Sequence, residues 1–479
     1  MQQNEVSRRL FLKNAAVLST VAGAFPTILT AQTGSNKPAA VKQASANEKI
    51  NLACVGCGNQ GAFIIKQFAE TGLVNVVALC DVDLGASHTT EIIEKFPTAK
   101  RFKDFREMFD TMGNEIDAVS IGIPDFAHFA VAMTAIKLGK HVYVEKPLAR
   151  TFYQNELLMQ AAQKYKIVTQ MGNQGHSEAN YFQFKAWVDA GIIKDVTAIS
   201  AHMNYGRRWH GWDTKIQHLP AGELLPLTLD WDTWLNIAPW HDYNHDYHKG
   251  QWRCWFDFGL GCLGDWGCHI IDTAHQFLEL GLPTEINPLK LEGYNDYFFP
   301  QASTLLFKFP ARKKMPPLEI TWYDGVNNLP PIPSGYGVQG LDPNIPPPST
   351  GDFKATLSAG KIIYSKELTF KGGSHGSTLT IIPEEKAKAM ESKLPEVPQS
   401  TSNHYKNFLL ACKGLEKTRS PFEVSAPLSQ VMNLGVISQI AHEKLLFDRD
   451  KKVITNNAFA NALLVGPPPR KGWEQYYTV

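Results

Sequence analysis

Net charge is what this sequence most conspicuously lacks: 47 lysines and arginines against 46 aspartates and glutamates over 479 residues leave +1 at pH 7. Without a basic field there is no electrostatic footprint for a phosphate backbone, so nucleic acid is not an expected partner. Cysteine is scarce too. The seven present (Cys54, Cys57, Cys80, Cys254, Cys262, Cys268, Cys412) are too few and too scattered for a disulfide scaffold, and their odd number leaves at least one thiol unpaired. Cys54, Cys57 and Cys80 fall in the first two predicted strands or their turn and read as buried thiols. Cys254, Cys262 and Cys268 could include one disulfide in an oxidising compartment. The apolar stretch from Ala15 to Leu29 is too short to span a bilayer comfortably. No integral membrane segment is therefore expected once the N-terminus is removed.

That N-terminus departs from ordinary composition. Ser7 to Lys13 reads SRRLFLK, and the apolar stretch that follows shows no charged face between Ala15 and Ala24. The pattern resembles a twin-arginine export signal, which implies that residues 1–31 are cleaved, that 32–48 form a polar tether, and that the mature protein is periplasmic or otherwise extracytoplasmic. This route carries folded proteins.

The length is that of two to three domains with ample apolar residues for a large core. From Ile50 the pattern alternates strand and helix. Ile50 to Gly61 (INLACVGCGNQG) is a short apolar run that breaks into GxGxxG at Gly56, Gly58 and Gly61, with Ala62 to Glu70 continuing at helical spacing. Such a turn opens a βαβ unit, its glycines permitting the turn, close approach to a pyrophosphate and packing of helix on strand. Asn59 and Gln60 lie at the helix start, where amides face phosphate. Asp81 closes the next apolar run, Val74 to Cys80; a carboxylate there accepts from ribose hydroxyls and repels a ribose phosphate, favouring NAD over NADP.

Further on, Ala118 to Ile123 is a buried strand followed by Pro124, Asp125 and His128, and the strand His141 to Val144 ends in Glu145, Lys146 and Pro147. A GxGxxG turn, a Pro-x-x-x-His after a later strand and Gly-Lys-His-Val-x-x-Glu-Lys-Pro together resemble the glucose–fructose oxidoreductase / inositol dehydrogenase / rhizopine catabolism family. The resemblance implies an α/β protein: an N-terminal doubly wound parallel sheet over residues 49–171, and an α+β substrate and oligomerisation domain with an open, mostly antiparallel sheet over 172–479. It implies cofactor contacts from Gly56, Gly58, Asn59, Gln60, Gly61, Asp81, Pro124, His128, Glu145 and Lys146. Independently of the family, a lysine at the carboxyl edge of a parallel sheet faces the ligand crevice, where it can bond a substrate hydroxyl and stabilise a developing alkoxide.

In the second half, Gly259 to Gly281 (GLGCLGDWGCHIIDTAHQFLELG) predicts a helix on which Asp265, His269 and Asp272 share a face. A carboxylate one turn from an imidazole fixes its tautomer and raises its basicity, as a general base requires. The stretch resembles the family's Asp-x-Gly-x-His motif, whose Asp and His act with the lysine; Lys146, His269 and Asp265 are thus the expected catalytic set. The same residues suit a metal less well, and no metal is expected here or at His241, His245 and His248, which read as solvated or sugar-contacting. Between Trp209 and Trp266 stand eight of the eleven tryptophans, with Tyr205, Arg207, Arg208, His210 and Trp212 at the start. Aromatic faces beside polar donors suit sugar rings, so Tyr205, Arg208 and Trp212 are expected substrate contacts, with most tryptophans in the core; Asp272 is counted with them, or else caps a local network or faces solvent. The Pro-rich loop from Asp324 to Thr350 reads as structureless, Leu428 to Leu446 as a helix, and Leu463 to Val479 as an extended arm.

The expectation is an exported oxidoreductase that passes hydride from a secondary hydroxyl of a sugar, glycoside or cyclitol to tightly bound NAD, and forms a homo-oligomer. Two alternatives stand beside it: a glycoside hydrolase working by transient oxidation, elimination and hydration, and a non-catalytic sugar-binding protein on the same fold.

Overall fold

Ile50–Val55 (β1) is apolar at every position but Asn51, as a strand covered on both faces must be. In the computed structural model, which describes residues 48–479 except 207–210, 249, 314, 327, 339–340, 343–344 and 346–356, β1 lies at the centre of a six-stranded sheet. Its companions are Val74–Cys80 (β2), Lys100–Phe102 (β3), Ala118–Ile121 (β4), His141–Val144 (β5) and Thr169–Met171 (β6). The order is β3-β2-β1-β4-β5-β6 with every pair parallel. The order reverses between β1 and β4, and a crevice opens at their carboxyl ends.

Local chemistry explains the crossover helices. Asp104 accepts from the backbone of Arg106 and opens Phe105–Met112, and Thr151 with Gln154 forms a reciprocal capping box at the start of Phe152–Tyr165.

The second sheet has nine strands: Val196–Met203 (β7), Glu285–Glu292 (β8), Ala302–Phe309 (β9), Leu318–Asp324 (β10), Gly360–Ser365 (β11), Thr369–Gly373 (β12), Thr380–Ile382 (β13), Leu445–Asp448 (β14) and Val453–Ile454 (β15). Its order is β13-β12-β11-β7-β10-β9-β8-β14-β15, antiparallel except where β7 and β10 run side by side. On β10 Leu318, Ile320 and Trp322 are buried while Glu319 faces solvent, the alternation of a sheet with one covered face. The helix Phe422–Ala441 covers that face. A Cβ at its Gly435 would stand 2.4 Å from Leu263 and 2.8 Å from Phe307, so glycine lets the helix sit between the sheet and the segment that carries His269.

Several expectations are corrected. The last long helix is Phe422–Ala441, not Leu428 to Leu446: His442 takes a left-handed conformation at φ +54°, which ends the helix, and Leu445–Asp448 leaves as a strand paired to β8. Strand β8 escapes sequence reading because Pro288 interrupts it, at the register shift against β9. The tail is not an extended arm. Trp473 and Tyr476 are buried against Phe105, and Tyr477 packs on Phe129. The described part of the Pro-rich loop covers the edge of the second sheet, where Tyr336 and Leu357 are buried with Ile362 and Ile382. All seven cysteines are buried thiols, so the suggested disulfide does not form. Among the described residues no helix is long and apolar enough to cross a membrane. The expected export signal, residues 1–31, lies outside the described residues, as does the tether apart from Glu48.

Candidate active site

A cleft of about 1000 Å³ runs from the crevice between β1 and β4 to the open end of the second sheet. Its nucleotide end is built by the glycine turn. Gly56 has φ +94°, and a Cβ there would lie 2.2 Å from the Gly122 carbonyl oxygen; one at Gly61 would lie 2.3 Å from that of Gly56. The loops after β1 and β4 therefore touch only because both residues are glycine. A Cβ at Gly58 would meet the His88 ring at 2.3 Å. Gly58 also begins the helix Asn59–Glu70, with no side-chain cap and no acidic residue in the first turn, which leaves amide hydrogens for an anion. Asp81 lines the cleft, its Oδ2 accepting from the Cys57 amide at 2.8 Å and its Oδ1 from that of Asp83 at 2.9 Å. Burial pushes its carboxyl upward and those two donors oppose the shift.

A bare helix end, glycines where a Cβ would collide and an anchored carboxylate fit a dinucleotide held by pyrophosphate and ribose. Gly56→Ala is expected to lose on the order of 3 kcal/mol of stability, from left-handed strain plus a collision with backbone. Urea unfolding with and without added NAD measures it.

Pro124 and Glu145 also line the cleft, but His128 does not. Its ring nitrogens each stand 2.9 Å from a carbonyl oxygen, Nδ1 from Pro147 and Nε2 from Ile123. His128 is thus a brace between two strand-end loops rather than the expected cofactor contact. Glu145 Oε1 accepts from Gln60 and Gln174, and Gly172 leaves room for it: a Cβ there would stand 2.4 Å away.

Lys146, next in sequence, reaches the middle of the cleft. Its Nζ donates to Asp265 Oδ1 at 2.8 Å and to the Asp265 carbonyl at 3.0 Å. Arg253 Nε stands 3.5 Å from the same Oδ1. Asp265 therefore anchors the lysine and does not bond His269 as the helix pattern predicts. The reason is a change of winding: Leu263–Gly267 is a π-helical turn, Cys268–Ile270 returns to α, and Asp272–Phe277 continues after a break. Extra residues per turn rotate Asp265 toward Lys146 and Asp272 away from the cleft.

His269 remains in the cleft wall, with no hydrogen-bond partner for Nδ1 among the described residues. Burial, then Lys146 and His375, hold its pKa well below the usual imidazole range, so at neutral pH it is an uncharged acceptor. Asp272 is buried on the far side, its Oδ2 3.6 Å from His176 Nε2, with Lys361 as its electrostatic partner. It does not line the cleft, and the expected substrate role is withdrawn.

Two more substrate expectations shift. Tyr205 is exposed outside the cleft, and Trp212 stacks in an aromatic cluster on Trp255 at 4.5 Å; Arg208 lies outside the described residues. The cleft is walled instead by Trp234, Trp252 and Trp266, with Asn236, His248 and Arg253. The three suspected histidines separate: His241 bonds Asp257, His245 pairs with Glu223 at the surface, and His248 reaches the cleft. Among the described residues no group of three or more His, Cys, Asp or Glu is arranged to hold a metal.

His375 escaped sequence reading altogether. It follows β12 in Gly372–Gly376, and its ring stacks on His269 with centroids 4.0 Å apart. The only available signal was a histidine set between glycines just past a strand.

Residues 50–173 match the model of an oxidoreductase family described by its NAD-binding Rossmann fold, and 178–293 match that family's C-terminal alpha/beta domain. The chain is 31% identical over 147 residues to the inositol 2-dehydrogenase of Salmonella typhimurium, covering 30% of this chain and 43% of that protein. It is 27% identical over 215 residues to a glycosyl hydrolase family 109 protein of Solibacter usitatus, covering 43% and 47%. This chain thus spans less than half the length of these curated relatives. Among solved structures, the WlbA dehydrogenase of Bordetella pertussis, described in complex with NADH and UDP-GlcNAcA, shares the fold at a TM-score of 0.55 and 13% identity, over 84% of this chain and 99% of that one.

Proposed function

Because this chain belongs to the glucose–fructose oxidoreductase / inositol dehydrogenase / rhizopine catabolism family of oxidoreductases, we propose that it oxidises a secondary hydroxyl of a sugar, glycoside or cyclitol. The observation that carries this reading is Lys146 Nζ held 2.8 Å from Asp265 in one cleft with His269 and with the Gly56 to Gly61 turn. NAD, when bound, supplies the hydride acceptor. The Lys146 ammonium, fixed by Asp265, holds the substrate oxygen and offsets the charge that develops as its proton leaves. His269, uncharged through burial, takes that proton. Trp266 offers an apolar face to a sugar ring, and Arg253, stacked over Trp252, and Asn236 offer donors to its edge.

The coenzyme would be NAD, because Asp81 stands where a ribose phosphate would meet a carboxylate. Tight retention follows from the export reading: outside the cytoplasm free NAD is scarce, so the cofactor is recycled in place. Export itself rests on Arg8 and Arg9, and changing both to lysine is expected to abolish secretion. A homo-oligomer is proposed on the family likeness alone.

A second reading, cleavage of glycosides through the same oxidation, is favoured by the second imidazole at His375 and by the likeness to the family 109 protein. Purified protein is mixed with a panel of sugars and glycosides while near-ultraviolet absorbance is followed. New absorbance from copurified NAD is the expected result. No change with any of them, and no aglycone released, leaves a sugar-binding protein on this fold.

A further inference from the structure

One imidazole suffices to take a hydroxyl proton, yet in this cleft a second, His375, stacks directly on His269. His375 comes from the loop after β12 and is held there at a cost: its φ is +53°, a left-handed conformation that a non-glycine residue adopts only where its surroundings impose it. Three contacts impose it. Its amide donates to the His269 carbonyl at 3.1 Å, its Nδ1 lies 3.0 Å from Ser374 Oγ, and its ring stacks on His269 with Trp266 edge-on at 5.6 Å. With Nδ1–H donating to Ser374, Nε2 carries the free lone pair.

Burial and Lys146 lower the pKa of both rings, with Asp265 opposing, so each is uncharged at neutral pH. Rings this close cannot both hold a proton without strong repulsion, so they act in turn.

We propose that His375 is a second acid–base residue of this cleft, taking the proton from the carbon beside a substrate carbonyl, so that the substrates are glycosides that this step cleaves. The inference rests on the reading of Lys146 and His269 as the site of the sugar oxygen. In the step, the C–H bond breaks and its electron pair forms a carbon–carbon double bond. The carbonyl oxygen takes up the negative charge against Lys146 Nζ, and the proton goes to His375 Nε2. Where the next carbon carries the glycosidic oxygen, return of the electrons to the carbonyl expels that oxygen with its bonding pair, and the oxygen takes a proton from the protonated His375 or from water to leave as the alcohol. Adjacent proton acceptors match adjacent acidic positions on a sugar: the hydroxyl proton for His269, the neighbouring ring hydrogen for His375.

The test supplies the ketone directly. Holoenzyme is incubated in deuterium oxide with methyl glucoside already oxidised at its third carbon, and the ring hydrogen between the carbonyl and the anomeric carbon is followed by proton NMR. Wild type is expected to exchange it and release methanol. His375→Gly, which keeps the left-handed backbone, is expected to slow exchange by about 100-fold or more with half-saturation little changed, and added imidazole to restore it. His375→Asn, also tolerant of that conformation, and melting temperatures check that both variants fold.

Exchange at the wild-type rate in folded variants overturns the proposal, as does wild type that binds the ketone, seen by tryptophan fluorescence, without accelerating exchange. A ketone that does not bind at all removes the reading of the sugar site, and the inference with it.

Discussion

Lys146→Met is expected to lower turnover on the best glycoside or sugar by about three orders of magnitude, with the effect in kcat and the bound NAD retained. The variant keeps the length and packing of the side chain and removes only the ammonium. In the native cleft that ammonium is fixed by two bonds to one residue, 2.8 Å to Asp265 Oδ1 and 3.0 Å to its carbonyl. It is pre-positioned rather than recruited, and its worth is greatest when the substrate oxygen carries charge. The glycine turn and Asp81 stand apart from this contact, so NAD content, measured by absorbance after denaturation, should match wild type. Arg253, 3.5 Å from Asp265, keeps the buried carboxylate partly compensated, so the variant should also fold. A kcat within tenfold of wild type would remove Lys146 from the chemistry.

How much of this was legible in the sequence depends on how local the cause is. The parallel sheet announced itself because β1, β2 and β4 are apolar but for one polar residue each (Asn51, Asn75 and Ser120), and because the glycine spacing sits directly at the end of β1. Lys146 was legible for the same reason: Glu-Lys-Pro sits at a strand end, and the sheet edge does the positioning. Asp265 and His269 were found, but their partnership was misread. Periodicity assumed α-helical winding, and the π-helical turn at Leu263–Gly267 changes which side chains share a face. Tyr205 and Trp212 were drawn in by aromatic density, which packs the second domain more than it lines the cleft. His375 was invisible because what makes it matter is a contact across 106 residues of chain, and no periodicity encodes a pairing between a helix and the loop after a distant strand.

Stability effects as large as that at Gly56 should come from Asp272 and Lys361, and these should depend on pH in opposite senses. Both side chains are buried, and neither Asp272 Oδ2 nor Lys361 Nζ has a hydrogen-bond partner among the described residues. Each is the other's electrostatic counterpart, with Glu178 and His176 close to Asp272. Burial pushes the Asp272 carboxyl up to about 7 while Lys361 opposes it, and burial lowers Lys361 while Asp272 opposes it. Lys361→Met leaves the carboxyl alone, raised further above its unfolded value. A carboxyl raised in the folded state contributes stability that is present at low pH and lost as pH rises through the folded pKa. This variant should therefore approach wild type at about pH 3, below the usual carboxylate range, and lose on the order of 3 kcal/mol by neutral pH and above.

Asp272→Asn leaves a buried amine that must shed its proton to fold, so its deficit should grow as pH falls from the lysine range toward neutrality. The double variant removes both charges and should recover most of what either single change loses, because the large cost lies in a buried charge without its counterpart. Denaturant unfolding of all four proteins across pH measures the cycle. Additive losses in the double variant, or deficits that do not change with pH, would show that the two groups are not a pair.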